Sequence, residues 1–395
     1  MVKAWRDCTL GDVLTLQRGF DLPTRLRVEG PFPVVSSAGV SGSHNEAKVH
    51  GPGVAIGRYG TLGEVHYVVE DFWPLNTTLW VKDFKGNEPL YCAHLLKTLA
   101  VAETSGSSAV PGVNRNVLHG LPVKCPPLET QQRIAAILGA YDDLIEVNRR
   151  RVAVLEEMAR GLFEEWFVRF RFPGHEDVPI VDTPDGPLPE EWEWARLGDA
   201  CSIIRSGSTP SRKEPEFWDA GILDWFTTGE LRGSFLFSSK EKVSQAAIDK
   251  KKARVFPSGT VFIALYGATI GALGISNVSC SSNQAALGLV GDGRRMRQWQ
   301  LFHTLERLKD WFISVGQGAA QQNISKEKVS GATVALPPAI ISELFDKRVS
   351  ALWELRKNLE WQESLLKTSR DLLLPRLISG QLSVEAAERQ LEDVA

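Results

Sequence analysis

Cysteine is scarce and scattered: five residues, at 8, 92, 125, 201 and 280, with no Cys-x-x-Cys pair and no even framework. That argues against a disulfide scaffold and fits free thiols in a reducing cytosol. No run of about 18 apolar residues is available for a membrane span. The opening MVKAWRDCTLGD has no apolar core of a secretory leader, so a cytoplasmic protein without a membrane partner is expected. Enzyme motifs are missing too. No Gly-x4-Gly-Lys-Ser/Thr loop is present to cradle ATP phosphates. No Asn/Asp-Pro-Pro-aromatic tetrapeptide of an amino-methyltransferase occurs: Pro126-Pro127 follows Cys125, and Pro337-Pro338 follows Leu336. Asp83-Phe84-Lys85 is half of a nuclease-type Asp…Asp-x-Lys set, but such tripeptides arise by chance, and a solvated turn is the favoured reading. His44-Asn45-Glu46 has no second cluster at ligand spacing to make a metal site. Gly57-Arg58-Tyr59-Gly60 does not open a helix, as a dinucleotide fingerprint must. No catalytic residue and no metal ligand is assigned.

What remains is an ordinary globular composition, 43% hydrophobic and 24% charged, long enough for two or three domains. The net charge of −3 is unevenly spread. Residues 1–128 carry 12 basic and 11 acidic side chains, and residues 190–338 carry 18 and 15. The excess acid lies in 129–189 and 339–395. Mild local base permits nucleic-acid binding by patches without demonstrating it.

The chain is written twice. VAIGRYG at 54–60 and LNTTLWV at 75–81 return as VFIALYG at 261–267 and SNQAALGLV at 282–290. One shift of 207 superposes Ile56, Tyr59, Gly60 and Asn76 on Ile263, Tyr266, Gly267 and Asn283. A shift of 211 superposes Pro126-Pro127 on Pro337-Pro338 and a helical pattern after each. A period near 200 residues is far beyond a solenoid unit, so it signals two copies of a domain-plus-helix module. Each copy opens on a tryptophan and Leu-Gly-Asp phrase. Short β-rich runs follow at 53–57, 65–69 and 77–82, and again at 260–266, 272–276 and 284–290. Helical stretches are expected at 88–103 and 294–315. Each copy therefore reads as a compact α+β domain with exposed loops.

After each double proline the apolar period becomes seven. Ile134, Tyr141, Asn148, Leu155 and Leu162 recur, with Ile137, Leu144, Arg151 and Met158 interleaved. Phe345, Leu352, Leu359, Leu366 and Leu373, with Leu355, take the matching places. Such 3-4 spacing is the seam of a helix pair, although periodicity alone does not fix its orientation. The competing reading packs each helix on its own domain. A helix over 134–166 would run about 50 Å at 1.5 Å per residue, longer than the roughly 34 Å of one DNA turn. Residues 171–189, rich in proline and aspartate, are expected to be a return linker.

The loops are furnished for polar recognition. In the first copy they offer Arg18, Arg25, Arg27, Ser36, Ser37, His44, Asn45, Arg58, Tyr59, Ser107, Asn114 and Arg115. In the second they offer Arg205, Ser208, Thr209, Lys213, Thr227, Thr228, Glu230, Tyr266, Gln284, Gln317, Gln321, Gln322 and Asn323. Asn, Gln and Arg pair bidentately with purine edges and Glu accepts from cytosine, whereas Ser and Thr hold phosphates. For each of them an ordinary surface polar group is the competing reading. The repeated Tyr59/Tyr266 and Asn76/Asn283 serve both copies alike, so the differing loops are the better base readers.

These phrases together resemble the specificity subunits of type I restriction–modification systems. The carriers are WRDCTLGDVLTLQRGFDLP at 5–23, VVSSAGVSGSHNEAKVHGPGVAIGRYGTLGEVHY at 34–67, FWPLNTTLWV at 72–81 and CPPLETQQRIAAIL at 125–138. SGSTP at 206–210, LYGATIG at 265–271 and SSNQAALGLV at 281–290 look like the second copy. The resemblance implies two target-recognition domains, 1–128 and 190–338. Between them would lie two long antiparallel coiled-coil helices, in 129–170 and 339–395, giving a pseudo-two-fold internal repeat. It implies a non-catalytic subunit that reads a bipartite duplex DNA site. One copy would position two modification subunits, which use S-adenosylmethionine to methylate adenine N6, and two restriction subunits, which use ATP and Mg²⁺. No cofactor is then expected in this chain. LPPAIISELF at 336–345 departs from the Glu-x-Gln-Gln character of the first phrase, and Pro375 should break or kink the second helix. Two other classes stand beside this reading: a self-contained DNA-modifying enzyme, which would methylate without partners, and a coiled-coil scaffold with no DNA role.

Overall fold

Residues 5–99, 112–267, 269–315 and 323–392 are described by a computed structural model. The chain divides into two units, Met1–Glu146 with Ser364–Ala395, and Val147–Glu363.

In the first unit, strand Gly53–Gly57 is buried throughout because it runs inside a four-stranded antiparallel sheet. The order is Thr15–Arg18, Thr78–Asp83, Gly53–Gly57, Val65–Val68. A second sheet joins Gly39–His44, Phe32–Ser36 and the two-residue Trp73–Pro74, the last pair running parallel. Arg6–Thr9 pairs with Pro122–Cys125, so the domain's entry and exit lie together. Helix Pro89–Thr98 starts on a proline, whose fixed φ and missing N–H suit a first helical position. Its Tyr91, Leu95 and Leu96 pack with Val54, Ile56 and Leu79 in one core, which also takes Ile134, Ile137 and Leu138 from the first long helix.

The second unit repeats this topology. Cys201–Ser206, Ala286–Gly291, Val261–Ala264 and Leu273–Ser276 match the first sheet strand for strand, and Phe235–Leu236 adds a fifth. Glu241–Val243, Leu223–Phe226 and Ser281–Ser282 form the three-stranded sheet, again with one parallel pair. Glu193–Arg196 closes on Thr333–Leu336. The expected 294–315 helix begins at Gln298 and breaks at Leu308 into Gln298–Arg307 and Lys309–Val315. Residues 171–189 are more ordered than a linker: they hold a small hairpin, Ile180–Val181 with Leu188–Pro189. Buried Phe172 and Leu188 pin that segment in the core that includes Trp192, and the Phe172 and Trp192 rings lie 5.4 Å apart.

The long helices are Leu128–Phe163, followed by a π-turn at Glu164–Val168, and Ala339–Ile378. Within the second unit they run antiparallel. Arg149 meets Glu363 and Glu156 meets Arg356, each at 2.8 Å, and the Phe163 ring lies 6.2 Å from Phe345. Within the first unit Asp142 meets Arg370 at 2.5 Å. The helix-pair reading holds, and each helix packs on a globular core as well. Ile134, Ile137, Asn148, Leu155, Phe345 and Leu359 are buried, and Tyr141, Leu162, Leu352, Leu366 and Leu373 are half-buried. Leu144 and Leu355 are not seam residues: they are 52% and 50% exposed, while Ile145, Trp353 and Arg356 are buried. A 3.6-residue helix drifts against a strict seven-residue repeat, and the globular core pulls the buried face sideways. Pro375 does not end the second helix, which continues to Ile378. Leu377 and Ile378 are buried in the first unit's core, and that burial outweighs one lost backbone bond.

Candidate nucleic-acid interface

In the first unit three segments converge on a hollow of about 480 Å³. Arg18 ends its strand, Arg58 and Tyr59 follow Gly53–Gly57, and Asn114 and Arg115 begin the short helix Arg115–His119. The register is set by backbone: the Val113 N–H donates to the Arg58 carbonyl at 3.1 Å. The Arg58 guanidinium lies 4.5 Å over the Tyr59 ring. Gly112 packs flat on that ring, where a Cβ would come within 2.4 Å of it. Asn114 spends its carbonyl oxygen on the Asn116 N–H at 2.9 Å, capping the helix.

Other predicted contacts of this copy hold the fold instead. His44 is buried against Trp73, ring centroids 5.1 Å apart, and its Nδ1 accepts the Val28 N–H at 3.1 Å. Arg27 donates to the Ser41 carbonyl at 2.8 Å, and Ser36 to the Gly39 carbonyl at 2.9 Å. The buried Ser37 offers its carbonyl to His66 Nε2 at 3.1 Å. Arg25 and Asn45 are exposed and open to a ligand. Asn76 donates to Asp21.

The second unit behaves likewise. Glu230 is occupied: Oε2 takes the N–H and hydroxyl of Thr227 at 2.8 and 2.9 Å, and Oε1 takes the Lys240 N–H at 3.1 Å. Thr227, Thr228 and Glu230 thus form a capped turn. Arg205 donates to the Val255 carbonyl at 2.5 Å over the Phe256 ring. Ser208 accepts the Arg254 N–H at 3.0 Å, and Thr209 donates to Gln284. Lys213 is exposed, and Tyr266 bridges to Asn323. Ser107, Gln317, Gln321 and Gln322 lie outside the described residues. Sequence reasoning missed a sandwich beside this face: Arg212 sits 3.7 Å over Trp218 and pairs with Glu241 at 2.5 and 2.8 Å. The spacing of Arg212 and Trp218 was visible; the closing Glu241 comes from the strand Glu241–Val243.

The apparent chemistry of other motifs dissolves. Asp83 accepts the Lys85 N–H at 2.8 Å, so Asp-Phe-Lys is a turn. Burial pushes the Cys201 and Cys280 thiols up to about 12, too high for a thiolate nucleophile at neutral pH. Among the described residues no three His, Cys, Asp or Glu are grouped to hold a metal ion, and no helix is long and apolar enough to cross a membrane.

Two α+β domains of one topology, each tied to an antiparallel helix pair, define a duplicated two-domain protein. A family model described as the type I restriction modification DNA specificity domain matches residues 2–157 and 189–351, and the chain belongs to that family. It is a specificity subunit, the DNA-recognising and non-catalytic component of a type I restriction–modification complex. Such subunits work with DNA and with methyltransferase and restriction subunits. The chain is 28% identical over 309 residues to the MjaIX specificity subunit of Methanocaldococcus jannaschii, covering 77% of this chain and 71% of that one. It is 23% identical over 339 residues to the HindI specificity subunit of Haemophilus influenzae, covering 70% and 72%. The fold resembles the crystal structure of a type I S subunit from M. genitalium, with TM-score 0.62 and 13% identity over 95% of this chain and 96% of that one.

Proposed function

We propose that this chain reads a bipartite duplex DNA site, each α+β domain taking one half, while the helix pair sets the unread gap. The observation that carries this is the repeated topology within one chain, each copy followed by a long helix. The first helix, 36 residues long, has a rise of about 54 Å at 1.5 Å per residue, more than one turn of B-DNA at roughly 34 Å. A single copy then serves two modification and two restriction subunits, which supply S-adenosylmethionine, ATP and Mg²⁺, and the assembly is cytoplasmic. Exposed Val154, Met158, Leu355, Leu365 and Leu372 on the long helices support partner docking there. Replacing residues 1–128 by the first domain of another specificity subunit should change one half of the methylated site, mapped as N6-methyladenine across a genome. A change in both halves would defeat the modular reading. A seven-residue insertion within 134–166 should lengthen the gap; an unaltered gap would defeat the ruler.

A further inference from the structure

The two copies share a scaffold at the hollow beside Tyr59 but not its side chains. In the second unit the Ile324 N–H donates to the Leu265 carbonyl at 2.7 Å, as Val113 does to Arg58 in the first at 3.1 Å. Tyr266 takes the place of Tyr59. Around it the second copy has Leu265 for Arg58, Lys326 for Arg115 and Ser206 for Arg18. Three guanidinium groups therefore line one hollow in the first copy, whereas the three matching positions of the second carry a single ammonium, with Arg254 bonded to the Ser206 carbonyl at 2.8 Å. Among the described residues only Arg18 has a nearby carboxylate, Asp21 at a loose 3.9 Å. Among the described residues neither Arg58 nor Arg115 makes an ion pair. Uncompensated like charges gathered in a concavity are unfavourable unless an anion is expected there.

We propose that this hollow is a DNA phosphate anchor belonging to the first domain alone, so that the two domains hold the duplex with unequal strength. The shape favours phosphate over a base edge. Backbone phosphates project from the duplex and enter a concave site, whereas base edges lie on a groove floor that projecting side chains must reach. Arg forks suit phosphate oxygens bidentately. The inference rests on the DNA-reading role proposed above.

The test measures duplex affinity of the chain assembled with its partner subunits, against salt, on a duplex bearing the site and on one with both halves scrambled. Arg58→Ala and Arg115→Ala should each weaken both duplexes about tenfold. Each should also lower the slope of log affinity on log salt by about one. Arg58→Lys should keep most of that slope, because it keeps the charge. Lys326→Ala in the second domain should leave affinity and slope nearly unchanged, and a loss equal to that of the arginine variants would overturn the asymmetry. Discrimination between the two duplexes should not change. Lost discrimination at one base position with the slope intact would make the hollow a base reader and overturn the proposal, as would unchanged affinity in both variants. Failure of the unaltered complex to bind any duplex would instead overturn the DNA-reading role itself. Assembly of each variant with its partners serves as the folding check.

Discussion

The two recognition domains are bonded to their helices by different sets of ion pairs. In the first unit a cation on the globular domain, Lys97, reaches Asp142 of the first helix at 3.7 Å, and Arg370 reaches the same carboxylate at 2.5 Å. In the second unit the globular domain adds an anion to its cations: Glu306 takes Arg160 at 2.9 Å and His303 Nδ1 at 3.0 Å, while Arg307 reaches Glu164 at 3.3 Å. The position matching Asp142 is Trp353, stacked on Trp299 at 4.6 Å with Arg356 4.6 Å over its ring. Arg356 binds Glu156 at 2.8 Å and Glu360 at 2.7 Å, and Glu360 in turn holds the Phe235 N–H of the extra strand at 2.8 Å. Duplication thus preserved the backbone plan while the fastening of each domain became private to it. A side chain that secures one domain is a misfit on the other.

Cutting the buried fastening should break the comparison most sharply. Arg356→Ala removes the buried cation that pairs with Glu156 and the half-buried Glu360 and should cost about 3 kcal/mol. Arg370→Ala in the partly exposed first network should cost about 1 kcal/mol. Denaturant unfolding compares them, and equal losses would refute the difference. Acid sharpens the contrast next. Burial, with Lys97 beside it, brings His94 down to about 4, against about 6.5 in an unfolded chain. Because the folded value is the lower one, the unfolded chain binds the extra proton. The first unit should therefore hold full stability above pH 6.5 and lose it as pH falls towards 4. Burial alone would raise Glu306, but hydrogen bonds from His303 and Arg160 outweigh it and bring it to about 2. That contribution to the second unit is present above the unfolded value of about 4.3 and lost as pH falls from there to 2. Hydrogen exchange against pH should show the first unit opening earlier, and His94→Leu should remove its early phase. Simultaneous opening of both units would contradict this. Smaller still, Glu306→Lys should cost about 1 kcal/mol, recovered largely by adding Arg160→Glu. A double variant no better than the single would deny the pairing. Least of all, Leu144→Lys should change the unfolding free energy by less than about 0.5 kcal/mol, since that side chain faces water.

The architecture was legible because duplication doubles every weak signal. Gly53–Gly57 and Val261–Ala264 were each short apolar runs of uncertain meaning, yet as matched runs they located the central strands of both sheets. The helix pair was legible from Ile134 to Leu162. Its buried face was misjudged at Leu144 and Leu355 because a heptad count cannot see a globular core pressing from one side. Polar loop residues were the least legible. His44 and Arg205 have the chemistry of base readers, but their partners, Val28 and Val255, are loop residues whose proximity depends on tertiary packing, whereas Glu230 closes a local Thr-x-x-Glu capping box with Thr227. The hollow at Arg58 brings together residues nearly 100 positions apart, and no local pattern announces such a meeting.

The short ladders that close each domain have a genetic consequence. Arg6 lies opposite Cys125, and Glu193 opposite Leu336, so Cα atoms at a domain's start and finish are only about 5 Å apart. Gene conversion could therefore replace everything between two such strands as a cassette, needing two compatible splice points. The incoming insert would still have to bring the counter-charge for the helix that receives it.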